Sequence, residues 1–183
     1  MAIIFVDGSA FRKTRQKQNW VGWGVRAHFN GTSLEVSGSM LVTRDLKGTY
    51  EIIAFIEGLL LMTNRGIPLD EMSFYTDDSM VGYAHEFLHP DNFSATRAMV
   101  ITTRIKLVCD ALYTSSVFEL VLECLRKSRF TKVKGHSGIV DNSRVDYLAR
   151  TSVGDAVVLP YADWFKWHVH VAPSSNYVNS SVC

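Results

Sequence analysis

The stretch EIIAFIEGLLLM, residues 51 to 62, is the strongest constraint on the fold. Ile52, Ile53, Phe55, Ile56, Leu59, Leu60 and Met62 leave almost no polar face. The spacing predicts a helix, and a helix this apolar must be buried by other elements. Thr49 stands where a cap belongs, and Gly66 followed by Pro68 ends the segment. Something large and flat has to cover it.

The preceding residues supply that cover. Residues 2–7 are dense in Ile, Phe and Val and predict a strand. Gly8-Ser9 and the basic stretch Arg12 to Lys17 read as a turn. Asn19 to Phe29 resumes strand character with Trp20, Val21, Trp23 and Val25, and Asn30-Gly31 is a hairpin signal. Ser33 to Val42 alternates as a third strand. Beyond the helix, Met72 to Thr76 predicts a short strand and residues 79–88 a helix, broken at His89 to Asn92. Residues 95–111 and 116–126 predict two further helices, Phe130 to Lys134 a strand, and Asp141 to Arg150 a helix. An antiparallel meander followed by alternating α and β units implies a mixed sheet with helices packed on it, an α/β fold.

With 183 residues, the chain suits one domain plus an appendage at residues 155–183. The apolar fraction is 47% and the charged fraction 20%, which describes a globular chain and not a disordered one. No run is long enough to span a bilayer, and the apolar start lacks the basic flank of a signal peptide. Cys109, Cys124 and Cys183 are odd in number and lack CxxC spacing. Free thiols in a reducing, cytoplasmic compartment are expected. Net charge is +1, but residues 1–50 and 126–150 are basic around an acidic middle. Such a distribution suits a polyanion surface beside a carboxylate cluster.

Four acidic residues stand out by position. Asp7 interrupts an apolar strand, Glu51 opens the apolar helix, Asp77 ends a strand, and Asp146 lies early in the last helix. Taken singly, each has an ordinary explanation as a turn, cap or solvated residue. A carboxylate in a half-buried strand is costly unless paired or metal-bound. Several converging carboxylates raise one another's pKa unless divalent cations neutralise them. All-oxygen donors suit Mg²⁺ or Mn²⁺. The offset of six residues from Glu51 to Glu57 is not one helical face, which favours Glu51 as the ligand. His168 and His170, in "WHVHV", share a strand face with nothing nearby to complete a ligand set.

The ordered motifs are "FVDGSA" (5–10), "TYEIIA" (49–54), "YTDDS" (75–79) and "VKGHSGIVDNSRVDYLAR" (133–150), with Asp146 ten residues after His136. In this set, over residues 1 to 150, the chain resembles a type 1 ribonuclease H. The resemblance implies an RNase H-like fold: a five-stranded mixed sheet in order 3-2-1-4-5 with helices on both faces. It implies a catalytic domain at 1–154. It implies hydrolysis of the RNA strand of RNA–DNA hybrids by two Mg²⁺ ions, with Mn²⁺ able to substitute, leaving 5′-phosphate and 3′-hydroxyl ends. Asp7, Glu51, Asp77 and Asp146 would be the metal ligands, and His136 would act in proton transfer or product release. Gly8, Ser9, Lys13, Gly48, Thr49, Ser79 and Asn142 would contact the nucleic acid. A stand-alone enzyme and a component of replication or reverse-transcription machinery both fit; a membrane partner does not.

The sequence departs from the family pattern in three places. Gly48 stands where many relatives have a substrate-touching Asn. Asp78-Ser79 replaces Ser-Gln and adds a negative charge at the site. Residues 92–110 offer Arg97, Arg104 and Lys106 but no tryptophan, where some relatives carry a basic protrusion. The same scaffold also serves DNA nucleases and resolvases, or a binding module without catalysis. The "KGHSG" loop with Asn142 and Asp146 argues against the first, and retention of all four carboxylates against the second.

Overall fold

The computed structural model describes residues 1–13, 18–43, 46, 48–88, 95–135, 138–152 and 168–170. Its elements in chain order are strands β1 (Ala2–Lys13), β2 (Gln18–Phe29) and β3 (Thr32–Val42), helix α1 (Tyr50–Thr63), strand β4 (Met72–Thr76) and helices α2 (Ser79–Leu88), α3 (Ala95–Leu112) and α4 (Ser115–Lys127). Strand β5 (Arg129–Lys132), helix α5 (Val140–Ser152) and strand β6 (His168–His170) complete the order. A short 3-10 turn, Leu69–Glu71, leads into β4.

The sheet runs β5-β4-β1-β2-β3-β6. The β1-β2-β3 meander is antiparallel, and β4 and β5 add parallel to β1. The expected order 3-2-1-4-5 is present, but the sheet has six strands where five were expected. The sixth comes from the appendage: His168–His170 pairs antiparallel with β3, Glu35 opposite His170. An edge strand offers unpaired backbone groups, and β6 satisfies some of those on β3.

Gly8-Ser9 is not a turn. Strand β1 continues through it to Lys13, in unbroken register with β2 from Ala2↔Phe29 to Lys13↔Gln18. The backbone ladder overrides the local Gly-Ser signal. Asn30 (φ 48°) and Gly31 (φ 72°) make the hairpin turn that the Asn-Gly pair predicts.

Period-two alternation divides β1 between two environments. Ile4 and Val6 face α1, and at Gly58 the helix comes so close that an added Cβ would lie 2.9 Å from Val6 Cγ1. This face continues through Phe55, Phe74 and Phe130, whose ring centroids lie 5.0 to 5.5 Å apart. Helices α2 to α4 close over them with Val81, Ile101, Ile105, Val108, Val121 and Leu125. The other face of β1, β2 and β3 is covered by α5. Helix α1 is buried almost around its whole circumference, as its composition demands.

Thr49 precedes α1 but does not cap it through its side chain. Its hydroxyl donates to Leu46 O at 2.7 Å instead. Cys109 and Cys124 are free and buried, and burial pushes both thiols up to about 12. Cys183 lies outside the described residues. Among the described residues no helix is long and apolar enough to cross a membrane.

Phe74 is fully buried at the centre of the aromatic cluster. Phe74→Ala should lower stability by about 3–5 kcal/mol in a denaturant titration. Tyr75→Ala, at a half-buried position on the opposite face, should cost less.

Candidate active site

Asp7 sits where both faces of the sheet converge. Strand register pairs it with Gly24 on β2, and the parallel register Phe5↔Tyr75, continued by two residues, sets Asp77 level with it. Glu51 opens α1, on the other face from Asp7, and reaches the site around the strand. Its Oε2 accepts a hydrogen bond from Gly8 N at 3.0 Å. Carboxylate oxygens of Asp7, Glu51 and Asp77 all lie within 4.8 Å of one another. Asp146 belongs to the same open cleft of about 310 Å³, lined also by Gly8, Ser9, Tyr50, Asn142 and Arg150.

Three glycines allow this convergence. A Cβ at Gly8 would lie 2.4 Å from the Tyr50 carbonyl group, so only glycine lets α1 bring Glu51 this close. A Cβ at Gly24 would lie 2.5 Å from Val145 O, where α5 crosses β2 directly opposite Asp7. A Cβ at Gly135 would lie 2.7 Å from Asp77 Oδ2. At Gly8 and Gly24 the contact is to a second backbone, which can give way little, whereas at Gly135 the Asp77 carboxylate itself would have to move.

The start of α5 is anchored by charge. Arg26 Nε meets Asp141 Oδ1 at 2.9 Å, and Arg26 Nη1 meets Glu35 Oε1 at 3.0 Å. Arg144 donates through Nε and Nη2 to Glu35 Oε2 at 3.0 and 2.8 Å. These half-buried ion pairs tie α5 to β2 and β3. They thereby fix the approach of Asn142 and Asp146.

Electrostatics record the crowding. Asp7 is raised from 3.8 to about 7, first by burial and then by the charges of Asp77 and Asp146. Glu51 is raised from 4.5 to about 10 by burial, then by Asp7 and Asp78, against the lowering effect of the Gly8 N–H. The extra charge expected from Asp78 is therefore felt at Glu51. Tyr50 is raised as well, by burial and then by Glu51. The donor set fits a divalent cation: hard oxygen ligands, two of them buried, with charge that only a cation can compensate.

The other expected residues divide. Gly8, Ser9 and Asn142 line the cleft. Asn142 is buried, and its Oδ1 has no hydrogen-bond partner among the described residues. Gly48, Thr49 and Ser79 are not among the cleft residues. Gly48 has φ +83° with open space around it, and Thr49 is buried with its hydroxyl engaged. Lys13 ends β1, six residues beyond Asp7 and about 20 Å along an extended strand. His136 lies outside the described residues. The sequence did not single out Tyr50 or Arg150. Arg150 was legible only as an acid-base pair at i, i+4 with Asp146.

On α3, Lys106 is paired to Asp110 at 2.6 Å, and Met99, Val100 and Leu107 are exposed. Arg104 is exposed on the same helix.

Comparison with known proteins matches the RNase H family over residues 1–153. The chain belongs to the RNase H family. By that membership it is an RNase H-type enzyme. The ribonuclease H of Nitratidesulfovibrio vulgaris (strain DSM 19637 / Miyazaki F) is 26% identical over 145 residues, 76% of this chain and 83% of that protein. Among solved structures, LC9-RNase H1, a type 1 RNase H with the type 2 active-site motif, aligns with a TM-score of 0.56 at 16% identity, covering 89% of this chain and 79% of that one. LC11-RNase H1, solved in complex with an RNA/DNA hybrid, aligns with a TM-score of 0.54 at 15% identity, covering 85% and 98%. At these identities the structural likenesses speak for the RNase H fold.

Raised carboxylate pKa values have a defined effect on stability. The folded chain holds the Asp7 and Glu51 protons to higher pH than the unfolded chain, so stability falls as pH rises above about 4.5. In calorimetry the metal-free protein should melt at a lower temperature at pH 8 than at pH 6, and millimolar Mg²⁺ should reverse the loss at pH 8. Asp7→Asn should flatten this pH dependence. Gly24→Ala should cut cleavage at least tenfold by displacing α5, whereas Gly31→Ala, at an open hairpin, should leave cleavage unchanged.

Proposed function

We propose that the protein hydrolyses the RNA strand of RNA–DNA hybrids, with Asp7, Glu51, Asp77 and Asp146 as ligands for two Mg²⁺ ions. The observation that carries this reading is the meeting of three carboxylates within 4.8 Å, from three separate elements, beside a fourth in the same cleft. Acids are not gathered this closely for packing, because burial and mutual repulsion both oppose it.

Bound cations would supply positive charge at the attacking and leaving oxygens of a phosphodiester. The chain supplies the rest. Asp7, buried among the other acids, would hold the cations together with Glu51, Asp77 and Asp146. The Gly8 N–H holds Glu51 in place, and the absence of a side chain at Gly135 leaves room for the Asp77 carboxylate. Asn142 offers a buried amide with an unmet oxygen, suited to a hydroxyl donor such as a ribose 2′-OH. Gly8 and Ser9 line the cleft with backbone and a small hydroxyl, suited to sugar and phosphate contacts that carry little sequence preference. His136 transfers a proton or aids product release, and the products carry 5′-phosphate and 3′-hydroxyl ends.

In this reading residues 1–154 are the catalytic domain and 155–183 an appendage, not a second domain. The relatives support the substrate: one is a ribonuclease H, and another was solved with an RNA/DNA hybrid.

A gel assay with one labelled strand should show cleavage of RNA in the hybrid with Mg²⁺ and none with EDTA. Cutting of duplex DNA instead would replace the substrate and keep the metal site. Asp7→Asn should abolish cleavage while hybrid binding persists in a gel shift. His136→Ala should slow turnover without abolishing it.

A further inference from the structure

The fourth carboxylate is not in the same state as the other three. Asp7, Glu51 and Asp77 share a space of 4.8 Å, and Asp146 is not part of that group although it lines the cleft. Asp146 Oδ1 is instead paired with Arg150 Nε at 2.7 Å. Arg150 lines the same cleft, and its side chain is 59% exposed, against 28% for Asp146.

We propose that Arg150 is a positioning residue that gates cation binding at Asp146. It acts as a resident positive charge that competes with a divalent ion for Asp146. The inference rests on reading the cleft as a cation site and adds a regulation to it.

The local structure builds the gate. Side chains on a helix lean toward its N-terminus, so Arg150 leans over the preceding turn, where Asp146 lies. An acid four residues ahead of a base is the favoured order for such a pair. Arg150 also stands in the last turn of α5, where the helix dipole favours a cation. A guanidinium held on Asp146 Oδ1 repels a divalent cation and takes part of the carboxylate's lone-pair capacity, so the two cations compete for Asp146. The exposed fork can turn away from Asp146, and a phosphate entering the cleft offers it a second anionic partner of matching geometry. Substrate arrival and release of Asp146 are then one exchange. The three-carboxylate group takes its cation regardless of Arg150, whereas the Asp146 position fills readily only when the guanidinium has moved.

The test is a Mn²⁺ titration of the full chain without nucleic acid, reading free Mn²⁺ by electron paramagnetic resonance. The four proteins are wild type, Arg150→Gln, Asp146→Asn and the double variant. Arg150→Gln should take up a second equivalent at least threefold more tightly than wild type. That gain should vanish in the Asp146→Asn background, because the double-mutant cycle isolates the pair. Arg150→Lys, which keeps the charge, should stay close to wild type. In cleavage assays Arg150→Gln should lower the half-saturating Mg²⁺ concentration and raise KM for the hybrid. An exposed pair of this kind adds little to stability, and thermal melting should confirm that the variants fold. An equal gain in the Asp146→Asn background would mean that Arg150 acts only through net charge, and would overturn the gate. Unchanged Mn²⁺ binding in Arg150→Gln would overturn it too. Failure of every protein to bind Mn²⁺ would overturn the cation reading of the cleft, and the gate with it.

Discussion

The structure depends on one unfavourable act, the burial of Asp7. A carboxylate on a central strand, with Asp77 and Asp146 beside it, gives up hydration and gains repulsion. A hydrophobic side chain at this position would make a more stable sheet. The chain instead brings further acids to the same point from α1 and from the end of β4. The stability sacrificed here must be supplied elsewhere. The helix α1 and the Phe55–Phe74–Phe130 cluster, on the opposite face, are where the apolar burial is concentrated.

Convergence needs backbones closer than ordinary side chains allow. The glycines at 8, 24 and 135 are steric permissions, each tied to one carboxylate. Gly8 admits Glu51, Gly24 admits the helix that carries Asp146, and Gly135 abuts Asp77 itself. None of the three has the positive φ that marks the turn glycines 31, 48, 66 and 138. They are required by proximity rather than by conformation. The ion pairs of Arg26, Arg144, Glu35 and Asp141 then set the position of α5 over the sheet. A steric allowance on one strand and a charge clamp on two together fix where Asp146 stands.

This explains what was legible in the sequence. Asp7, Glu51, Asp77 and Asp146 could be chosen because each sat at an element's end or broke an apolar pattern. Element types followed from periodicity, and their limits fell within a few residues except at β1, which was expected to end at Asp7 and runs to Lys13. Gly8-Ser9 misled because a turn signal is local, while the ladder with Trp23 and Gly22 is not. Gly24 gave no signal, since its role depends on a helix more than a hundred residues later. The capping role given to Thr49 failed for a similar reason: its hydroxyl finds Leu46 O first. The alternation of "WHVHV" was legible as a strand, but its pairing with β3 was not, because the two segments are distant in sequence.

The same distinction between local and distant causes bears on substrate grip. Here α3 turns Met99, Val100 and Leu107 outward, and Lys106 is neutralised by Asp110. Phosphate contacts supply most of the affinity for nucleic acids, and they weaken steeply with salt. In the proposed reading, recognition draws also on the cleft itself, lined by Gly8, Ser9, Asn142 and Arg150. Contacts that close to the scissile bond cannot be separated from catalysis. An arginine there, already bound to one of the carboxylates, links the arrival of a phosphate to the charge state of the site that will cut beside it.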